Sequence, residues 1–294
     1  MVTFYRRLPS FDYVRPKTLK EALALVSKKN KGRAKVFAGG TDVLPQLKRR
    51  EIKAPEILVD LKGIPNLDYI RCDAKNGLRF GSLTTISAIE SSAIIQKKFS
   101  VLAQAAQSMA SPQVRNRGTI VGNICHAVPS ADSATALLAL GAKLKLVSKK
   151  GKRTVKIEDF FKGPNETVLS GEEVLREVQV PPLPATSKGV YLKLSPRRAM
   201  DLAIVGVAVV VIPKDGVCKD IRIALGAVSP TPIRVKKVED ILRGQELSDD
   251  LIEKAAQISS EEARPIDDHR ASADYRRSMV KVLVSRGIKE ALRS

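Results

Sequence analysis

Three short stretches of this chain carry residue types that could do chemistry. Ala38-Gly39-Gly40-Thr41-Asp42 follows the apolar Val36-Phe37 and precedes Val43, while Gly118-Thr119-Ile120-Val121-Gly122-Asn123-Ile124 sets two glycines in an otherwise apolar run. Glycine weakens a strand, and it is tolerated where the backbone turns tightly or another group approaches within hydrogen-bond distance. After Gly39-Gly40 the amides of Thr41 and Asp42, with a hydroxyl beside them, can form a nest for a phosphate oxygen. The same residues equally suit a plain tight turn with Asp42 as a helix N-cap, and the spacing is neither GxGxxG nor a P-loop. The third stretch, from Cys125-His126 through Ser130 to Asp132, offers sulfur, imidazole, hydroxyl and carboxylate. No G-x-S-x-G elbow frames its serine and His269 stands far along the chain, so a hydrolytic triad is not expected. Adjacent Cys125 and His126 match no spacing of paired metal ligands. Neither a catalytic residue nor a metal ligand is expected on this chain.

These stretches need elements to hold them. With 294 residues, 44% hydrophobic, 4% aromatic and no Trp, the chain can build two or three packed subdomains, and intrinsic disorder is excluded for most of it. Three scattered cysteines (Cys72, Cys125, Cys218) make no disulfide framework. Lys plus Arg number 51 against 31 acids, a net +20. The basic residues fall in small groups (28–35, 48–50, 149–153, 197–198, 276–277) with no single stripe and no interleaved aromatics, unlike a nucleic-acid reader. A surface facing an acidic protein or a merely solvated surface fits better, and the alternative function on these grounds is a non-enzymatic basic module that binds nucleic acid or an acidic protein. The start lacks the apolar core of a signal peptide, and the longest apolar run, 202–212, is too short to span a bilayer. A soluble, cytoplasmic protein is expected.

Thr18 and Glu21 form a capping box ahead of a helix carrying Leu19, Ala22, Leu23 and Val26. Strands are expected at 35–38 and 56–60, a strand pair at 66–70 and 78–81, and a helix at 101–110. The stretch 119–124 reads as a strand interrupted by glycine, followed by a helix at 134–140 that Ser130 and Asp132 can cap. A hairpin turns at 149–152, and Pro181-Pro182-Leu183-Pro184 marks the main boundary. Beyond it, strands at 190–194, 202–212 and 221–228 make an antiparallel meander, with helices at 233–242, 249–263 and 271–292. The fold class is α+β, with helices packed on sheets.

The pairing of Ala38-Gly39-Gly40-Thr41-Asp42 with Pro112-Gln113-Val114-Arg115-Asn116-Arg117-Gly118-Thr119-Ile120-Val121-Gly122-Asn123-Ile124 closely resembles the FAD-binding medium subunit of the molybdenum hydroxylases, the xanthine dehydrogenase and carbon monoxide dehydrogenase family. The resemblance continues through His126 to Asp132, Gly171-Glu172-Glu173-Val174-Leu175, Tyr191-Leu192-Lys193, Arg197-Arg198-Ala199-Met200-Asp201 and Ser229-Pro230-Thr231-Pro232-Ile233-Arg234, and covers nearly the whole chain. It implies a PCMH-type FAD-binding domain at 1–180, built of two α/β subdomains at about 1–62 and 63–180, then a C-terminal domain at 181–294 with a three-stranded antiparallel sheet and helices. Carried over by motif, Val36, Phe37, Ala38, Gly39, Gly40, Thr41, Asp42 and Val43 would line the pyrophosphate. Thr119, Val121, Gly122, Asn123 and Asp132 would hold the cofactor from the second loop, and Leu175 would be an apolar wall. Tyr191 and Lys193 would approach the isoalloxazine, where a cation tunes the flavin's potential. Met109 stands where relatives can carry an aromatic ring.

An iron-sulfur cluster needs four thiolates, so the resemblance places [2Fe-2S] centres and the molybdenum cofactor on other polypeptides. The cluster-bearing loop of the 4-hydroxybenzoyl-CoA reductase branch has no Cys-rich counterpart here. The implied role is an oxidoreductase subunit that relays electrons from an iron-sulfur small subunit to NAD or another acceptor. A molybdenum-binding large subunit would act on substrate, with a lean toward a purine or aldehyde, in a dimer of heterotrimers.

Overall fold

A computed structural model of the chain describes residues 7–27, 30, 32–197 and 200–293. Lys28, Lys29 and Lys31 of the first basic group, and Arg198 and Ala199 of the Arg-Arg-Ala-Met-Asp motif, lie outside the described residues.

The first unit alternates strand and helix: β1 (Asp12–Val14), α1 (Leu19–Leu25), β2 (Ala34–Phe37), α2 (Val43–Arg49) and β3 (Ile57–Asp60). Thr18 accepts the Glu21 amide and Glu21 Oε2 accepts the Lys17 amide at 2.8 Å, so the capping box starts α1 as expected. The strands run parallel in the order β1-β3-β2, with β3 buried at the centre. The edge strand β1, three residues with an exposed Asp-Tyr start, was invisible to periodicity.

The second unit comprises β4 (Ile70–Asp73), β5 (Gly77–Gly81), α3 (Ile86–Ser91), α4 (Ala93–Lys98), α5 (Ser100–Ser108), α6 (Pro112–Arg115), α7 (Ile120–His126), α8 (Asp132–Ala139), β6 (Lys143–Ser148), β7 (Gly151–Lys156), the short pair β8 (Phe161–Gly163) and β9 (Glu166–Thr167), and β10 (Val174–Val180). Its antiparallel sheet has the order β4-β5-β10-β6-β7. Leu78, Phe80, Leu144, Leu146 and Val178 from one sheet face share a core with Leu102 and Ala106 of α5 and Leu137 of α8. In β10 Leu175 pairs with Leu146 and Glu177 with Lys145, which leaves Arg176 as an extra, bulged residue.

The 119–124 segment is a correction: it forms helix α7, not a strand. Thr119 sits in extended backbone and its hydroxyl accepts the Gly122 amide at 2.9 Å, an N-cap bond that starts the helix. Ile120, Val121 and Ile124 are buried at helical spacing, so cap and packing override the strand preference of β-branched residues. The α8 helix also begins earlier than expected, at Asp132, behind Ala131 and without a side-chain cap.

The third unit is the meander β11 (Lys188–Leu194), β12 (Val205–Lys214) and β13 (Val217–Gly226), extended by the two-residue β14 (Ile233–Arg234), with α9 (Lys236–Leu242), α10 (Asp249–Glu262) and α11 (Ala273–Arg293). Val207, Val209 and Val211 of β12 share a core with Val280 and Val284 of α11, while Ala208 and Val210 join the core of α5 and α8. The strand is buried on both faces, which is why its sequence is continuously apolar rather than alternating. Leu202, expected inside this strand, precedes it and is exposed. No helix among the described residues is long and apolar enough to cross a membrane.

Candidate functional site

The two glycine loops meet. A Cβ on Gly39 would fall 2.1 Å from the Arg117 carbonyl oxygen and 2.9 Å from Gly118 Cα, so the first loop lies against the backbone of the second. Gly40 has φ +78°, and a Cβ there would strike the Phe37 ring at 2.5 Å. Asp42 occupies the cap position of α2 in helical backbone, with no side-chain cap bond. Its carboxylate instead lies 3.8 Å from His126 Nε2 at the end of α7, so the start of α2 and the end of α7 are neighbours.

Residues that the motifs did not include brace the first loop from beneath. Lys62 Nζ donates to the Ala38 carbonyl at 2.8 Å and to Asp60 Oδ1 at 2.7 Å, and it stands 4.1 Å over the Phe37 ring. Asp60 is fully buried and also receives the Tyr13 hydroxyl. Burial pushes its carboxyl up, but the Lys62 ammonium and Tyr13 hydroxyl together outweigh that and hold it below its ordinary value. The available signal was an acid ending a buried strand with a lysine two residues on.

The second loop is braced by Arg115, whose guanidinium bonds Glu90 at 2.7 Å and the Met109 carbonyl at 2.9 Å. The Ile86 amide donates to the Gly118 carbonyl at 2.9 Å, and Asn123 Oδ1 accepts the Ser133 hydroxyl at 2.6 Å. Burial pushes the Cys125 thiol up to about 12, so at neutral pH it is not a thiolate. Among the described residues no group of three or more His, Cys, Asp or Glu is placed to hold a metal.

A third cluster joins the second and third units. Tyr191 and Lys193, on one face of β11, both reach Asp132 at the start of α8, the hydroxyl at 2.5 Å and the ammonium at 2.8 Å. Lys193 also donates to the Ser108 carbonyl at 3.0 Å, next to Met109. Both ionic side chains are almost fully withdrawn from water. Burial pushes the Asp132 carboxyl up, against the opposing pull of Lys193 and Tyr191. Burial, with Asp132 alongside, pushes the Tyr191 phenol well up. Leu175 is packed in the same core as Met109 and Tyr191. Of the expected residues, the structure thus joins the 36–43 loop to the 118–123 loop and Asp132 to Tyr191 and Lys193, while both Asp132 oxygens are engaged by protein groups.

The donor set fits a flavin dinucleotide. Ala38, Gly39, Gly40, Thr41, Gly122 and Asn123 are small or amide residues, all only half-buried, so a ligand can approach the chain closely there. Asp42 is the one acid between residues 36 and 43, and it faces His126.

Comparison with known proteins agrees with this chemistry. Residues 9–183 match the family described as FAD binding domain in molybdopterin dehydrogenase, and residues 190–291 match the CO dehydrogenase flavoprotein C-terminal domain. The glyceraldehyde dehydrogenase medium chain of Sulfolobus acidocaldarius is 38% identical over 96% of this chain and 98% of that protein. The xanthine dehydrogenase FAD-binding subunit of Escherichia coli O157:H7 is 34% identical over 96% of each. A chain of the carbon monoxide dehydrogenase structure from Hydrogenophaga pseudoflava superposes with a TM-score of 0.93 at 36% identity, covering 98% of this chain and 99% of that one.

Proposed function

The chain belongs to the FAD-binding medium subunits of the molybdenum hydroxylases, and from that premise we propose that it works as the electron-relay subunit of such a complex. FAD, held by the two glycine loops, would supply the redox chemistry between [2Fe-2S] centres on an iron-sulfur small subunit and NAD or another acceptor. A molybdenum-binding large subunit oxidises the substrate, a purine or an aldehyde, and the assembly is a dimer of heterotrimers.

The observation that carries this reading is the direct apposition of the two glycine loops, Gly39 against Arg117 and Gly118. That contact fixes the two loops against each other and leaves small, half-buried residues along both, which an uncharged ring joined through a diphosphate requires more than it requires an acid or base. Lys62 holds the Ala38 carbonyl down, so the amides that follow are left to face the diphosphate. Lys193 keeps its ammonium fixed between Asp132 and the Ser108 carbonyl, beside Met109, where its charge tunes the local potential. The Asp132 carboxylate orients that ammonium and is itself held by the Tyr191 hydroxyl.

The test is purification of the native assembly, identification of its chains, and extraction of flavin after denaturation. Yellow-brown protein with non-covalent FAD, an iron-sulfur chain and a molybdenum chain is expected. Substrate screening with NAD and an artificial dye then identifies the acceptor. Colourless protein with no extractable flavin would falsify the reading.

A further inference from the structure

On the sheet face opposite the core that buries Leu175, a concavity of about 520 Å³ opens between the outer strands. Six cations line it: Arg71 on β4, Arg79 on β5, Lys145 on β6, Lys152 and Arg153 on β7, and Arg176 on β10, with Glu177 the one acid in the lining. Three of the cations are committed, Arg79 to Asp73 at 2.7 Å, Lys145 to Glu177 at 2.5 Å and Arg153 to Glu173 at 2.7 Å. Six cations minus these three carboxylates leaves +3. Arg71, Lys152 and Arg176 enter no ion pair among the described residues. The Nε atoms of Arg79 and Arg176 are buried without a hydrogen-bond partner among the described residues.

The backbone shows how the site is built. The bulge between Leu175 and Glu177 inserts Arg176 and brings it to the concave face beside Glu177, where strict alternation would send one of the two into the apolar core. Glu177 is shielded from an incoming anion because its carboxylate accepts the Tyr69 hydroxyl and pairs with Lys145. Arg71 lies over the Tyr69 ring at 4.9 Å, which fixes its guanidinium plane. Along the ladders Arg71 is level with Arg79 and Gln179, three residues from Arg176, and Lys152 is level with Val147 and Val174, two residues from it on the other side, so with strands about 4.8 Å apart the backbones of Arg71 and Lys152 each stand roughly 12–14 Å from that of Arg176 and their long side chains must converge over it. A single-atom anion meets one of these cations, whereas adjacent phosphate groups meet two, and guanidinium forks suit phosphate oxygens in particular.

We propose that this concavity is an anion site for a small ligand of the diphosphate class, separate from the glycine loops. The charge left over on three strands has no counter-ion among the described residues, and a buried guanidinium nitrogen without an acceptor is satisfied when a phosphate oxygen arrives.

The test titrates the flavin-loaded full-length chain calorimetrically with inorganic pyrophosphate at fixed ionic strength, with ADP as a parallel titrant. One saturable site is expected, weakened about 10-fold or more in Arg176→Gln and in Arg71→Gln, as loss of a charged hydrogen bond implies. Arg71 is exposed, so its variant keeps the fold and isolates the ligand contact. Tighter binding of ADP identifies a nucleotide as the source of the diphosphate, and tighter binding of pyrophosphate a free anion; either supports the site. No saturable heat, unchanged affinity in both variants, or flavin release on titration overturns it, the last because the anion would then be entering the glycine loops.

Discussion

Lys62 touches neither glycine loop through its backbone, yet it is bonded to the Ala38 carbonyl at the loop's first turn. Lys62→Gln should leave secondary structure intact and weaken flavin retention by about 10-fold or more, the effect of losing a hydrogen bond to a charged donor. Flavin-to-protein absorbance after exhaustive dialysis measures this, and full retention would show that Ala38 needs no anchor. The second prediction at this scale concerns Asp132 and Lys193, whose side chains are only 7% and 8% exposed. Removing one member of a buried pair costs about 3–5 kcal/mol, and removing both costs less. Lys193→Met should therefore unfold at lower denaturant than the double variant Asp132→Asn/Lys193→Met. The reverse order in urea melts would mean that the ammonium is well solvated without its partner.

Among the elements, the contact between the glycine loops decides what glycine does. A methyl group at Gly39 meets the Arg117 backbone, which cannot yield as a side chain can. Gly39→Ala should separate the loops, lower the melting temperature and empty the flavin site. Gly163→Ala, with ordinary 3.8 Å contact, should do neither. Equal melting temperatures and flavin contents for the two variants would remove the interlock from the account. The glycines at 39–40 were legible in the sequence as a place of close approach, but the group that approaches Gly39 is the chain's own second loop. The helix at α7 was not legible because Ile120, Val121 and Ile124 fit strand and helix alike, and only Thr119 taking the Gly122 amide settles between them. By contrast α1, the hairpin of β6 and β7, and the apolar β12 were readable because cap, turn and burial each act over a few adjacent residues. The Tyr13-Asp60-Lys62 brace was hidden because Tyr13 lies 47 residues from Asp60.

For the molecule as a whole, the joining contacts are polar groups set in apolar seams. Asp268 ties the segment before α11 to Arg276, which in turn bonds the carbonyls of Ile204 at 2.7 Å and Ala227 at 3.1 Å. Burial pushes the Asp268 carboxyl up, but the amides of Arg270 and Ala271 and the Arg276 guanidinium together hold it at about 2. Because the folded value lies below the unfolded one, this contribution to stability is complete above about 3.8 and is lost as pH falls through about 2. The stability gap between the wild type and Asp268→Asn should accordingly close between those two pH values in acid titrations followed by circular dichroism. A gap that stays constant across that range would detach the carboxylate from the effect.

The Asp132 cluster also sets a timetable for biogenesis. The carboxylate leaves the ribosome 59 residues ahead of Tyr191 and 61 ahead of Lys193. Until β11 emerges, α8 carries an acid without its counter-charge and cannot sink it into the interior. A nascent chain arrested before Lys188 should thus remain colourless even when supplied with coenzyme, which makes loading a late event in maturation.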